Sequence, residues 1–600
     1  MTTNLNRQPS DDAPRVPSDL AVVTPRPMSP LEARLRSDFE DVRAVVDTSQ
    51  VAVTYEYLCV KRSEKGKVLG RPRKMTMRAF LILAILTCLR DRPPSIVKIT
   101  ETANELPEDL LEELGLMKPG GTRPTITESQ IGHVFNLLAN SLDVSPHRPG
   151  KRLRITDTGE VIDEYKTAQI DRKCLDPDLT DEELTPPSAT RRLADRKESE
   201  LGVDVVESRV AVLHGLIDDL LQATIRSDLD IRTTAVDWTD REAWARGGRH
   251  ATKARDGVVS ADPDAKWGRR RPSGNSFTPS RRSPKKAIGP LDEDGFETDK
   301  IEYYFGYLVH VAVATKEVDG PPVPELVLAL RVAPADDMAG VGPAVVDMID
   351  SIRSVAPIDH AIVDRGYSMR AAESVHLPLA DRNVHLTFDL SQPQRQRHGT
   401  TKDGAIMMGG DFYCPMLPRD IEVEGIPGPQ ATREDWAAYH RRREIREAWM
   451  MARKGKPTAD MNTQRLVCPA VAGNTRCPLR PDSMALPEDK NIPEIFDDQL
   501  DDIREAPPGC CTAKSFTVYQ EDGAGRRQQH SFGSPEWIRS YDRRTASERV
   551  ISHYKKLVRT GREDVQVFGR TRQTLAVGFA TVALNIRLLR GWDEKQNDIA

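Results

Sequence analysis

Apolar positions recur every three or four residues in three stretches between Leu31 and Leu142, MRAFLILAILTCLRD, LPEDLLEELGL and ITESQIGHVFNLLANSLDV. That period predicts three helices. In the last stretch Thr125 precedes Glu128, and Thr127 precedes Gln130, by three positions, giving two candidate capping boxes. Residues 146–202 are charged and broken by prolines and read as a linker with one short helix. The strongly amphipathic VVESRVAVLHGLIDDLLQATI follows. The pattern then changes to short apolar runs: a β-rich run ends on Asp237, and strands are predicted over 303–315, 324–335 and 360–367. Between the second and third, VGPAVVDMIDSIRSV has helical period, and HLTFDL gives a further strand ending at Leu390. Regularity fades over 391–534, apart from arginine-rich helical matter over 436–456, and helix returns at Pro535. LAVGFATVALNIRLLRGW then predicts an apolar helix packed on the core, ahead of a polar tail.

A chain of 600 residues is too long for one core and suggests about three or four units. The first thirty residues are polar and contain proline, as in a flexible leader, with no apolar stretch behind a basic start. The longest apolar runs, 80–89 and 575–589, are too short or too interrupted to cross a bilayer, so no membrane partner is expected. Eight cysteines in so long a chain are no disulfide framework and fit the reducing cytoplasm. The net charge of −5 does not exclude nucleic acid, because the basic residues are clustered. Residues 266–286 contain Arg269, Arg270, Arg271, Arg281, Arg282 and Lys285 without one acidic residue. They read as a loop that contacts phosphates irrespective of sequence.

One segment, RSYDRRTASERVISHYKKLVR, carries the chemistry. At about 100° per residue, Tyr541, Arg544, Glu548 and Lys555 share one helical stripe, with a carboxylate among cationic and phenolic groups. Such a stripe suits an anionic ligand held through a metal: glutamate ligates, arginine and lysine pair with phosphate oxygens, and tyrosine donates a hydrogen bond. The spacing resembles the Tyr-Arg-Glu-Lys signature of bacterial insertion-sequence transposases of the DDE type, the group that can cut DNA through a hairpin.

The resemblance covers about residues 232–592. It implies an α/β fold with a ribonuclease H-like catalytic core on a mixed sheet, and makes Glu548 the third carboxylate of an Asp-Asp-Glu triad. Two aspartates at adjacent strand ends are then expected, and Asp237 and Asp364 answer to them, although Asp240 lies one turn from the first. Asp364 is followed by Arg365-Gly366-Tyr367, where glycine permits a sharp turn. Arg365 fits a phosphate contact or a structural salt bridge equally well. Three carboxylates suit Mg²⁺, or Mn²⁺, as a hard ion that keeps several waters. Two such ions activate the attacking oxygen and stabilise the departing one. The resemblance also gives Arg544, Lys555 and Tyr541 to phosphates, and an aromatic to a flipped base, for which Trp436, Trp449 and Trp537 are candidates. The family's Phe-Gly-Tyr strand motif followed by histidine is matched by Phe305, Gly306, Tyr307 and His310.

The implied partner is double-stranded DNA, as transposon ends and target, bound by a homodimer in a nucleoid-associated setting. The alternatives are a metal-dependent nuclease on the same fold and a catalytically lapsed, DNA-binding regulator. The expected organisation is a leader over 1–30 and a helical domain over 31–145. The linker of 146–202 and the first part of the core over 203–390 follow. An insertion over 391–534, the second part of the core over 535–592 and a tail over 593–600 complete the chain. Within the helical domain, residues 126–142 form either a DNA-reading helix or plain scaffold. In the insertion Cys468, Cys477, Cys510 and Cys511 can hold a structural Zn²⁺ or be buried thiols, with Cys414 and His530 as outliers.

Overall fold

Residues Glu302–Thr315 form a single strand of fourteen residues, on which the main sheet is assembled. The computed structural model describes residues 28–59, 73–145, 153–155, 161–163, 203–245, 258–270, 302–422, 427, 431–455, 458, 463–487, 492–557 and 563–599. The sheet comprises β1 (Thr233–Glu242), β2 (Lys266–Arg270), β3 (Glu302–Thr315), β4 (Val327–Pro334), β5 (His360–Val363) and β6 (His385–Phe388). Its order is β4-β3-β1-β5-β6, with β2 beside the first residues of β3. β1, β3 and β4 run antiparallel, whereas β5 and β6 continue the sheet in parallel with β1. The molecule is therefore mixed α/β with a mixed sheet.

Period-two alternation divides the sheet between two cores. Tyr307, Val309, Val311 and Val313 of β3 face one core, while Ala312 and Ala314 face the other. The first is covered by helices from both ends of the chain. Among the described residues six helices precede the linker: α1 (Pro30–Ser49), α2 (Val51–Cys59), α3 (Met77–Leu89), α4 (Ile96–Glu105), α5 (Glu108–Glu113) and α6 (Glu128–Ser141). This corrects the expectation of three. The Ser29 hydroxyl accepts from the Glu32 amide at 3.2 Å, Pro30 fits the first turn, and Phe39, Val42 and Val46 form the buried stripe of α1. Of the two candidate capping boxes, Thr127 with Gln130 is the one that forms.

In α3 only Arg78 escapes burial, because the helix is surrounded on all sides. It packs on α12 (Arg570–Ile599), where the Phe80 and Phe579 rings meet at 6.1 Å, and α7 (Val203–Gln222) lies beside them. Gly578 lets α12 and α7 approach: a Cβ there would lie 2.3 Å from the Ile217 side chain. α12 is long and apolar enough to cross a membrane, yet 72% of its apolar window is buried inside the fold, as in the core helix of a soluble protein. The expected tail is the end of this helix. Its polar residues prolong an already packed helix, and Asp593 pairs with Arg226 at 2.6 Å.

The second core is closed by α8 (Val341–Arg353). A buried ion pair, Arg331 to Asp218 at 2.8 Å, extends to Asp347 at 2.5 Å and ties β4 to α7 and α8. Two further corrections concern polar stretches. The linker contains short antiparallel strands, Leu153–Ile155 and Val161–Asp163, the first also pairing with Val258–Val259. The basic stretch begins as β2 rather than as a loop, because an edge strand needs a partner's hydrogen bonds more than apolar side chains of its own. The rest of that stretch, Arg271 included, lies outside the described residues.

Between β6 and α10 (Pro535–Tyr541) lies the insertion, with its own small core. Its described residues include two three-stranded antiparallel sheets, Arg397–Thr400 with Ile406–Met408 and Asp411–Tyr413, and Ala452–Arg453 with Thr463–Val467 and Phe516–Tyr519. Between them stands α9 (Arg433–Glu447), capped by Thr432 and Asp435. After α10 the chain passes through a 3-10 turn, Asp542–Arg544, into α11 (Thr545–Leu557).

Candidate active site

Val236 of β1 pairs in parallel with Val363 of β5, so the residues that follow them, Asp237 and Asp364, stand side by side on the sheet. Asp364 follows the end of β5, as expected. Asp237 does not end its strand: β1 continues to Glu242, because its other edge stays paired with the long β3 down to Gly306. The third acid, Glu548, lies 184 residues beyond Asp364 and enters on the first turn of α11. The helical stripe is interrupted at the 3-10 turn, but this break keeps Tyr541, Arg544 and Glu548 together.

All three carboxylates converge on one guanidinium. Arg544 Nη2 is 2.6 Å from Glu548 Oε1, and Nη1 is 3.5 Å from Asp237 Oδ2 and 3.9 Å from Asp364 Oδ1. The Tyr541 hydroxyl donates to Asp364 Oδ1 at 3.4 Å, and the Arg544 guanidinium lies 5.5 Å from the Tyr541 ring centre. Lys555 is displaced by one step, with Nζ 3.7 Å from Asp240 Oδ1. Among the three acids Asp237 is the sheltered one, its side chain 14% exposed against 40% for Asp364 and 50% for Glu548.

Charge is unbalanced in this cluster. Burial first, and then repulsion from Asp364, push the Asp237 carboxyl up to about 7, against the opposing pull of Arg544. Burial alone would lower the Arg544 guanidinium, but Tyr541 and the three carboxylates hold it above its ordinary value. Burial likewise raises the Tyr541 phenol. Three acids facing one guanidinium form an oxygen-rich site with room in its charge for a further cation, which suits a hard divalent ion. Among the described residues no group of three or more His, Cys, Asp or Glu side chains stands in metal-holding geometry, and in this cluster the Arg544 guanidinium lies between the carboxylates.

Aromatic rings form the support. Trp238 packs on Tyr367 at 4.6 Å and on His310 at 5.7 Å, and His310 Nδ1 is 2.9 Å from the Tyr367 hydroxyl. His310 is fully buried and held at about 3 by burial, so it is a neutral structural residue. Gly366 is required by contact rather than by a left-handed turn, for a Cβ there would lie 2.1 Å from the Trp238 ring. Arg365 is engaged in an ion pair, 2.7 Å from Asp389, whose other oxygen takes Arg395 at 3.3 Å.

Of the three tryptophans, Trp537 is the one beside the site, stacked on Tyr541 at 4.7 Å with 12° between the planes. Trp436 stacks on His440, and Trp449 lies in the insertion core. Arg269 and Arg270 belong to β2, opposite Tyr303 and Glu302, and their side chains lie outside the described residues. The sequence reading missed Arg543, which donates to the Lys316 and Ser540 carbonyls at 2.9 and 3.1 Å and braces the turn before Glu548. An Arg-Arg pair gives no sign of which member is structural. Trp238 and Tyr367 were also missed as the floor of the site. The thiols Cys468, Cys477, Cys510 and Cys511 share the insertion core with Cys414, which is no outlier.

Comparison with protein-family models, with curated proteins and with solved structures finds no match for this chain.

Proposed function

We propose that the chain is a DNA transposase with a ribonuclease H-like core, cutting the ends of its element and joining them to target DNA. One observation carries this reading: Asp237 and Asp364 on neighbouring parallel strands meet Glu548 from a helix far along the chain, with Arg544 and Tyr541 interposed. The strand order β4-β3-β1-β5-β6, antiparallel on one side and parallel on the other, supports the assignment of the core. An insertion between the second and third acids supports the kinship with hairpin-forming transposases.

Asp237, Asp364 and Glu548 would hold the divalent ions, which supply an activated oxygen nucleophile and stabilisation of the leaving oxygen. Arg544 holds the acids together in the absence of DNA and turns to a phosphate when the substrate arrives, releasing them. Tyr541 orients Asp364 and, with Trp537 at its back, presents an aromatic wall to the DNA. Lys555, on the outer turn of α11, pairs with Asp240 or with a neighbouring phosphate. The chemistry requires two DNA ends, and a dimer in the cytoplasm, at the nucleoid, is the corresponding assembly.

The test is cleavage and strand transfer with DNA ends taken from the sequence flanking the coding region. The full chain should nick and join these ends in the presence of Mg²⁺. Glu548→Gln should bind the same DNA and leave it uncut. Retained cleavage in that variant defeats the ligand assignment, and cutting without joining points to a nuclease instead.

A further inference from the structure

Residues 520–533, the last stretch of the insertion before α10, are bonded to both the insertion and the main sheet. On the insertion side the Arg527 guanidinium lies 5.5 Å from the Phe412 ring centre, and the Ser531 hydroxyl donates to Asp411 at 3.1 Å. Arg443 of α9 donates to the Phe532 carbonyl at 2.5 Å. On the sheet side Gln520 Nε2 donates to the Leu377 carbonyl at 3.3 Å, and the Phe532 side chain joins the second core. The stretch therefore ties one region to the other.

Within it Gln528 makes two bonds with one oxygen. Its Oε1 accepts from the Phe388 amide and from the Trp537 indole Nε1, each at 2.9 Å. Among the described residues its Nε2 is buried without a partner, so the side chain is held by its acceptor alone. An indole nitrogen can only donate, and a buried tryptophan ring is fixed in orientation where that donor finds an oxygen. Trp537 is such a ring.

Both bonds lead to Asp364. Phe388 at the end of β6 pairs with Val363 at the end of β5, and Asp364 is the next residue. Trp537 stacks on Tyr541 with 4.7 Å between ring centres and 12° between planes, and the Tyr541 hydroxyl donates to Asp364 Oδ1 at 3.4 Å. One bond thus steadies the backbone that carries this acid, and the other steadies the group that touches its carboxylate. Phe532, from the same stretch, adds a ring contact to Trp537 at 4.7 Å.

We propose that Gln528 is a positioning residue through which the insertion sets Tyr541 on Asp364. The inference rests on reading the carboxylate cluster as the place where DNA is cut. Without the Gln528 oxygen the Trp537 N–H is left buried and unsatisfied, and the ring turns toward another partner. Tyr541, stacked on that ring, is then drawn away from Asp364. A displacement of about 1 Å at a reacting centre costs up to about a hundredfold in rate. The insertion is by this route part of how the site is built, although none of its residues need touch the acids.

The experiment compares Gln528→Leu, Gln528→Glu and Gln529→Leu in the full-length chain. Leucine removes the accepting oxygen, glutamate keeps it, and Gln529 is the exposed neighbour. The first readout is the near-ultraviolet circular dichroism of the Trp537–Tyr541 stack, isolated as the difference that Trp537→Phe makes in each background. That signal should collapse in Gln528→Leu and survive in the other two. The second readout is DNA cleavage with Mg²⁺: Gln528→Leu should lower kcat by about tenfold to a hundredfold with KM for DNA unchanged, and Gln528→Glu should restore it. Should the leucine variant fail to fold, Trp537→Phe, which keeps a ring but no N–H, should show the same loss in kcat. The proposal is overturned by a stack signal unchanged in Gln528→Leu, by an equal loss in Gln529→Leu, or by a glutamate variant no better than leucine. A chain that shows the expected stack signals and cuts no DNA defeats the cutting reading while the positioning of Tyr541 stands.

Discussion

The sheet and the insertion each gather side chains of one kind, carboxylates on the one and thiols in the other, but they do so by opposite means. On the sheet, β-ladder register sets Asp237 beside Asp364, and two large cores hold that register in place. In the insertion the strands are short, and the cysteines themselves make up much of the core. A site carried on a deep scaffold tolerates poor internal charge balance, as the raised Asp237 shows. The insertion, with strands of two to five residues around a small core, should therefore open before the sheet in denaturant, as read by hydrogen exchange.

The comparison can be broken most severely at Glu548. Glu548→Gln should lower Mg²⁺-dependent cleavage by about a thousandfold or more, with DNA binding kept, as read by gel assays of both. The scaffold side is tested at the buried pair: Asp218→Ala takes from Arg331 its buried partner, leaves it only the exposed Asp347, and should cost about 3–5 kcal/mol in denaturant unfolding. The same substitution should leave hydrogen-exchange protection in the insertion unchanged, and a loss of both together would mean that the two regions form one cooperative unit.

A smaller effect, of opposite sign, is expected at Asp237. Its folded carboxyl is raised from 3.8 to about 7, so between those values the unfolded chain ionises while the folded one holds its proton. This group therefore costs the metal-free protein stability as pH rises from about 4 to 7, with the full cost present above 7. Asp237→Asn should stabilise the metal-free chain at pH 8 by at most about 4 kcal/mol and give no gain at pH 4. Mg²⁺ affinity of the unaltered chain should fall by up to about tenfold per pH unit below 7, because the ion competes with that proton. Calorimetry at the two pH values and Mg²⁺ titration check both statements. The smallest effect belongs to Lys555→Ala: its ion pair with Asp240 is half-exposed, so stability should change by less than about 1 kcal/mol. A clear loss of DNA affinity in that variant would assign the lysine to the substrate.

The sequence by itself determined the elements with strong period or sustained apolar character. α7, β3, β4, α8 and α12 follow the pattern of their own residues, because each buries a face or a whole surface that the pattern displays. It also marked Tyr541, Arg544 and Glu548, since their spacing on a helix is local. Polar stretches misled it: β2 and the strands near Leu153 are held by a neighbour's hydrogen bonds, and the last turns of α12 by the helix already formed. Only the tertiary structure decided that Asp237 lies within its strand beside Asp364, that one guanidinium faces all three acids, and that Cys414 joins the other thiols. Each of these depends on which distant strands share an edge or which segments share a core, and no local spacing of residues carries that information.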